Sequence, residues 1–363
     1  MSKRVIIAGG GTGGHIFPAI AIAHALLKKD KNMEILFVGA KGKMEMEKVP
    51  QAGFPVKGLD IAGFNRSSLI KNISLPWKLV KSFFQVRKIV NEFKPDAVIG
   101  VGGYSSFPVL RYAQARKIPT FIHESNSFAG RANIMLGKNA TKVFTASEGM
   151  EQFFPAAKIV VTGNPVRANI AAMTTSREEG LTSFGLNTGK QTLLVIGGSL
   201  GAKAINEAID AGLDQILEAG LQLIWQTGKP YAAKAAERCR EKAGVWTSEF
   251  ISKMENAYAA ADIVVARSGA MTVAELSVAG KPVIFVPFPY AAEDHQTVNA
   301  MQLVNKQAAV MVKDADASQQ LVPAIIALAN DAERRRQFIH AISAFAVTNA
   351  DTVIADEIIK SIG

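Results

Sequence analysis

Short apolar runs alternate with segments of helical periodicity along almost the whole chain. VIIAG (5–9), EILFVG (34–39), AVIGVG (97–102), TFIHE (120–124), KVFTA (142–146) and IVVTG (159–163) predict buried strands. Helical patterns at 18–29 and 76–93 lie between the first of them. The alternation then restarts, with TLLVIGG (192–198), LQLIWQTG (221–228), DIVVARSG (262–269), PVIFVPFP (282–289) and AAVMV (308–312) predicting a second set. Near-continuous apolar strands separated by helices mark parallel sheets covered on both faces. The expected fold class is α/β, with two doubly wound, Rossmann-like domains facing a cleft. Their junction falls near Gly163-Asn164-Pro165, giving domains 1–164 and 165–344. The tail after Arg336 is again helical in pattern, but pattern alone does not say where it packs.

Each set opens in the same way. VIIAGGGTGGHIFPAIAIAHAL and TLLVIGGSLGAKAINEAI both run from an apolar strand through a glycine-rich turn into a helix. There, unpaired N–H groups and the helix dipole favour a negative group, and glycine lets a ligand approach the backbone. Gly9, Gly11 and Gly14 satisfy G-x-G-x-x-G. The second strand, however, ends Val38-Gly39-Ala40-Lys41, without the acid that would hold a dinucleotide ribose. NAD is therefore not expected. Neither turn carries the G-K-[ST] ending of a P-loop.

Composition adds compartment and charge. The 363 residues are 48% hydrophobic and 20% charged, ordinary for a globular chain and enough for two domains. One cysteine, Cys239, allows no internal disulfide. The apolar run after MSKR is too short for a signal-peptide core, and no stretch approaches the roughly 18–20 apolar residues of a membrane span. These features predict a cytoplasmic protein, dissolved or attached to a surface. The net charge of +10 is uneven: residues 1–165 hold 23 Lys/Arg against 10 Asp/Glu, and residues 166–363 hold 18 against 21. A one-sided positive field suits a phospholipid leaflet, a pyrophosphate or a nucleic acid. An aromatic content of 7% and the lack of a recognisable binding motif argue against nucleic acid.

The helix over 76–93 narrows the choice. At about 100° per residue, Leu79, Phe83, Val86, Val90 and Phe93 share one face, the expected core stripe. Trp77, Val80 and Phe84 cluster on another, with Lys81, Arg87 and Lys88 around them and Lys71, Lys78 and the loop 70–75 adding to it. A second apolar stripe bordered by cations is what attachment to an anionic membrane surface requires, and packing under a loop is the alternative. Metal chemistry has little support: His/Cys ligand spacings are absent, and the sole DxD, Asp314-Ala315-Asp316, precedes a helix pattern and reads as capping or turn chemistry.

GGGTGGHIFPAIAIA (9–23), GVGGYSSFP (100–108), HESNSFAGRAN (123–133), TGNPVR (162–167), GGSLGA (197–202), ARSGAMTVAELSVAGKPVIFVPFP (266–289) and EDHQTVNA (293–300) follow one another in order. As an ordered set over nearly the whole chain they closely resemble the MurG family of peptidoglycan N-acetylglucosaminyltransferases. The resemblance implies the two-domain GT-B fold, with the last helix, about 345–363, crossing back to the N-terminal domain. It also implies inverting transfer of GlcNAc from UDP-GlcNAc to the C4 hydroxyl of MurNAc in lipid I, undecaprenyl-pyrophosphoryl-MurNAc-pentapeptide, giving lipid II. The place implied is the cytoplasmic face of the plasma membrane, peripherally attached, among other cell-wall synthesis proteins. The alternative is another GT-B activity, such as a glycolipid glycosyltransferase or a UDP-GlcNAc epimerase.

The same resemblance implies donor contacts in the second domain. It places Ser199 and Arg167 near the diphosphate and sugar, and the backbone of Ile251 at the uracil. Ser268, Gly269, Ala270, Met271 and Thr272 form the loop that opens a helix, and Glu275 holds the ribose hydroxyls. Gln296 and Asn299 resemble sugar contacts, and in the first domain Asn126 resembles a residue that binds the GlcNAc. His295 departs from the family pattern, where glutamine is usual. A departing diphosphate needs a metal, or backbone dipoles and cations. The turns at 197–201 and 267–271 are placed to supply dipoles, so neither metal nor cofactor is expected. Thr12, Gly13 and Gly14 could receive the acceptor pyrophosphate or approach the donor sugar. Inversion needs a base: His15 stands at the mouth of the turn and the unperturbed pKa of a histidine suits the role, and Glu124 is its rival. Tyr104 and Asn133 are acceptor-side candidates. His123 reads as a packed strand-end residue, and His24 and His340 take no role.

Overall fold

β-Branched runs form strands here because their side chains fill pleated surfaces covered from both sides. The computed structural model describes residues 2–63, 75–198 and 200–363. They divide into two units, Met1–Arg167 with Asn349–Gly363, and Ala168–Thr348.

In the first unit the strands are β1 Arg4–Ala8, β2 Glu34–Ala40, β3 Val56–Leu59, β4 Ala97–Gly100, β5 Thr120–Glu124, β6 Lys142–Thr145 and β7 Ile159–Val161. They pair in parallel in the order β3-β2-β1-β4-β5-β6-β7. Val5, Ile7 and Ile99 pack on one face with Ile22 and Leu26 of the helix Gly13–Lys29. Ile6, Val98 and Ile122 pack on the other with Val86 and Val90 of the helix Leu75–Phe93. The final helix, Ala350–Ile362, belongs to this unit. Its Ile354, Ala355 and Ile358 join the core of Ile22 and Leu26, and Lys29 pairs with Asp356 at 2.5 Å.

The second unit has β8 Thr192–Ile196, β9 Gln222–Gln226, β10 Val245–Ser248, β11 Ile263–Ala266, β12 Val283–Phe285 and β13 Val310–Met311. Their order, β10-β9-β8-β11-β12-β13, is also wholly parallel. Leu193, Val195 and Trp225 face one core, while Leu194, Ile224 and Val264 face the other. In both sheets the chain winds outward from its first strand and then returns to that strand's other side. The order thus reverses between β1 and β4, and between β8 and β11. Ligands of such sheets bind outside the carboxyl ends of the strands at this reversal.

Two strands escaped the sequence pattern. β3 (VKGL) and β10 (VWTS) are short, lie at sheet edges and are largely half-buried, so neither needs a continuous apolar run. The first helix starts at Gly13, whereas the pattern began it at Pro18, because the Thr12 carbonyl already accepts the N–H groups of His15 and Ile16. Among the described residues, no helix is long and apolar enough to cross a membrane.

Candidate active site

In the first unit the turn after β1 carries Gly9, Gly10 and Gly11 at φ +153°, +141° and +90°. The loop after β4 comes up against it with Gly102 and Gly103 also at positive φ. A Cβ on Gly103 would lie 2.4 Å from the Gly10 carbonyl oxygen, so glycine is what lets these two backbones meet. Thr12 caps the helix in an extended conformation. The N–H groups of Gly13 and Gly14, in the first turn, have no carbonyl one turn earlier to bond and are what the turn offers an anion. His15 donates its N–H to the Thr12 carbonyl at 3.1 Å. Its imidazole lies against Gly102, where a Cβ would be 2.7 Å from Cε1.

Glu124, at the end of β5, is buried and accepts four hydrogen bonds. They come from the N–H and Nδ2 of Asn126 at 3.1 and 3.3 Å, the Gly130 N–H at 3.1 Å and Asn133 Nδ2 at 2.8 Å. Both carboxylate oxygens are thereby committed to holding the loop after β5. Asn133 is buried and turned toward Glu124, while Asn126 is half-buried in the same cluster. Tyr104 packs its ring against Gly63, and its buried hydroxyl has no hydrogen-bond partner among the described residues. Burial, then the Glu45 charge, pushes that hydroxyl's pKa up. Arg167 closes this unit with its guanidinium 5.4 Å from the Phe17 ring centroid. His123 is buried in β5, as expected of a packed strand-end residue. Burial, chiefly, lowers its pKa to about 4, with the neighbouring His15 adding to the effect.

In the second unit the glycine turn follows β8. Gly201, at φ +75°, leaves a Cβ no room, since it would meet the Thr227 carbonyl oxygen at 2.0 Å. Ser199, expected at the donor diphosphate, lies outside the described residues. A residue the pattern did not single out, Gln226 at the end of β9, ties the site together. Its Nε2 donates to the Gly198 carbonyl at 3.0 Å and its Oε1 accepts the Ile251 N–H at 3.2 Å. Ile251, expected to present its backbone to a base, therefore has its N–H engaged.

After β11, Ser268 and Gly269 lead into the helix Ala270–Ala279, whose first intrahelical bond runs from Val273 N–H to the Gly269 carbonyl. The N–H groups of Ala270, Met271 and Thr272 are thus the first-turn donors. The buried Ser268 hydroxyl donates to the Gln296 carbonyl at 2.7 Å, and Asn299 Nδ2 donates to the Ser268 carbonyl at 3.2 Å. Gln296 Oε1 accepts the Phe288 N–H at 3.0 Å, which orients the side-chain amide. Glu275, one turn into the helix, is buried, and its carboxylate accepts from the Tyr258 hydroxyl at 3.1 Å. His295 is half-buried at the first position of the helix His295–Val304, directly before Gln296. The structure brings Ser268–Thr272, Glu275, Gln296 and Asn299 together, with Asn299 buried as a support of the loop. Asp314 of the DxD is an ion-pair partner of Arg267, whose guanidinium also bonds the Val286 and Pro287 carbonyls. Asp314, Ala315 and Asp316 form a 3-10 turn directly before the helix Ala317–Asn330, and Asp316 at its N-cap makes no side-chain capping bond, so the turn part of the expected role fits better than the capping part. Among the described residues, no three His, Cys, Asp or Glu side chains form a metal-binding group.

On the helix Leu75–Phe93, Val86 and Val90 are buried, while Trp77, Val80 and Phe84 are exposed, Trp77 by 76% and Phe84 by 67%. Lys78, Arg87 and Lys88 are exposed too. Lys81 instead pairs with Asp60 at 3.0 Å, alongside Lys41 at 2.8 Å, and the two ammonium groups hold the Asp60 carboxyl well below its usual range. Lys71 and residues 70–74 of the adjoining loop lie outside the described residues.

Ligand-ready turns at the reversal points of two parallel sheets define a two-unit α/β architecture of the GT-B class. Residues 5–145 match the glycosyltransferase family 28 N-terminal domain, and residues 192–354 match the glycosyltransferase family 28 C-terminal domain. The chain belongs to this family and is a hexosyltransferase. It is 48% identical over 361 residues, 99% of its length and 98% of the relative's, to the UDP-N-acetylglucosamine--N-acetylmuramyl-(pentapeptide) pyrophosphoryl-undecaprenol N-acetylglucosamine transferase of Parabacteroides distasonis. The crystal structure of Acinetobacter baumannii MurG superposes with a TM-score of 0.79 at 30% identity, covering 99% of both chains. The UDP-GlcNAc 2-epimerase of Neisseria meningitidis shares the fold, with a TM-score of 0.67, at 15% identity over 99% of this chain and 100% of that one.

Proposed function

We propose that the protein transfers GlcNAc from UDP-GlcNAc to the C4 hydroxyl of MurNAc in lipid I, forming lipid II for peptidoglycan. The observation that carries this reading is the near-full-length relationship to a protein named for that reaction. The two switch-point turns agree with it chemically. The second unit takes the donor: Glu275 receives the ribose hydroxyls, the Gln296 amide and His295 the sugar, and the N–H groups of Ala270–Thr272 the diphosphate. Arg167 supplies a cation. The first unit takes the acceptor, whose pyrophosphate meets the N–H groups of Gly13 and Gly14.

The acceptor hydroxyl attacks the anomeric carbon, its proton passes to His15, and the bond to UDP breaks with the electron pair leaving on the diphosphate. The first-turn N–H groups then meet the charge that develops. Of the two base candidates His15 is favoured, because four hydrogen bonds commit Glu124 to its loop. The enzyme attaches peripherally to the cytoplasmic face of the membrane, with Trp77, Val80 and Phe84 in the interface and Lys78, Arg87 and Lys88 at lipid phosphates.

The test is incubation with labelled UDP-GlcNAc and a lipid I analogue in EDTA. Acceptor-dependent transfer with release of UDP is expected, whereas consumption of UDP-GlcNAc without acceptor would replace this reading with epimerisation. In the same assay His15→Ala should lower kcat by about 10²–10⁴-fold with UDP affinity kept; near-normal turnover would remove His15 as the base.

A further inference from the structure

A buried carboxylate outside the predicted site is built into the first glycine turn. Glu45 opens the helix Glu45–Gln51 and is only 2% exposed. One of its oxygens accepts the Ala40 N–H at 2.9 Å, at the end of β2, and the other accepts the Gly11 N–H at 2.8 Å, in the turn after β1. Two glycines make room for it. A Cβ on Gly10 would lie 2.3 Å from the Glu45 carboxyl carbon, and one on Gly39 would lie 2.4 Å from its Cγ. Gly39 has no positive φ to explain its identity, so the Glu45 side chain is the reason for glycine there.

We infer that Glu45 is a positioning residue for the transfer reaction, a carboxylate staple that sets the place of His15 and of the anion-receiving N–H groups. This rests on the proposed function. The route is short: Glu45 holds Gly11, the next residue is Thr12, and the Thr12 carbonyl accepts the His15 N–H. A carboxylate suits the position because both incoming groups are donors. A glutamine offers one oxygen, and its NH2 would face a second N–H. With the Gly11 N–H occupied, the acceptor phosphate is left to Gly13 and Gly14.

The experiment compares Glu45→Gln, Glu45→Asp and Gly39→Ala in the full chain. Glu45→Gln and Gly39→Ala should each lower kcat by about 10–100-fold, the scale of a misplaced catalytic group. The KM for UDP-GlcNAc should stay within about twofold, since the ribose, sugar and diphosphate contacts assigned to Glu275, His295, Gln296 and Ala270–Thr272 lie in the other unit. Glu45→Asp, which keeps two acceptor oxygens, should recover part of the loss. Gly39→Ala added to Glu45→Ala should cost little further, because the side chain it displaces is gone. Amide hydrogen exchange at Gly11 should accelerate in Glu45→Gln, a readout that needs no turnover. Normal kcat in both Glu45→Gln and Gly39→Ala, or unchanged exchange at Gly11, would overturn the inference. Failure of the wild-type protein to transfer GlcNAc would overturn the proposed function and leave the exchange result to judge the staple.

Discussion

Two side chains with similar sequence credentials have different surroundings. His15 and Glu124 both sit at strand-to-helix turns, yet Glu124 is saturated by four donors while His15 borders the glycine turn and Gly102. Donors from the loop after β5 engage both of its oxygens, which makes it an organiser of that loop. His123 shows what burial does to an imidazole. Its pKa in the fold is lowered to about 4, against 6.5 for an ordinary histidine. Well above pH 6.5 the ring is neutral both folded and unfolded, and it adds no pH dependence to stability. As pH falls below 6.5 the unfolded chain takes up a proton that the fold refuses. Stability then drops by about 1.4 kcal/mol per pH unit, until the fold itself protonates near pH 4. His123→Leu should therefore flatten the fall in urea-unfolding free energy across this window, and an unchanged slope would assign the acid sensitivity to other groups.

The helix Leu75–Phe93 shows how much periodicity can say about an element. The face read as core holds the buried Val86 and Val90, and the face read as a second stripe holds the exposed Trp77, Val80 and Phe84. Periodicity did not reveal that Lys81 spends its charge on Asp60, because that partner comes from the end of a strand 21 residues earlier. Trp77→Ser combined with Phe84→Ser should weaken binding to phosphatidylglycerol vesicles at least about tenfold, from lost apolar insertion. Activity on a soluble acceptor should be spared, and unchanged vesicle partitioning would contradict attachment through this face. Elements at the sheet edges were less legible. β3 and β10 have one neighbour strand each and are largely half-buried, so nothing in their composition needed to be continuously apolar.

For the whole molecule, the last helix is a structural part of the first unit. Ile354 and Ile358 are fully buried against the first helix, and Lys3 reaches the Ile362 carbonyl at 2.6 Å. Ile358→Ala should cost about 2–5 kcal/mol, seen as a lower urea midpoint for an unfolding transition reported by probes in residues 1–167. A transition unchanged by the substitution would mean that the helix contributes no stability there. The alternation of apolar runs and the two glycine turns were enough to determine two parallel, doubly wound sheets, because buried strands and tight turns leave few residue types to choose from. The ordered motifs were enough to identify the family. Three features were decided only by tertiary structure: the Glu45 staple, the Gln226 bridge and the Arg267–Asp314 pair. Each joins residues far enough apart in the chain, or on different elements, that no local spacing rule connects them, and whether a polar side chain is a ligand, a support or an ion-pair partner depends on what the fold sets beside it.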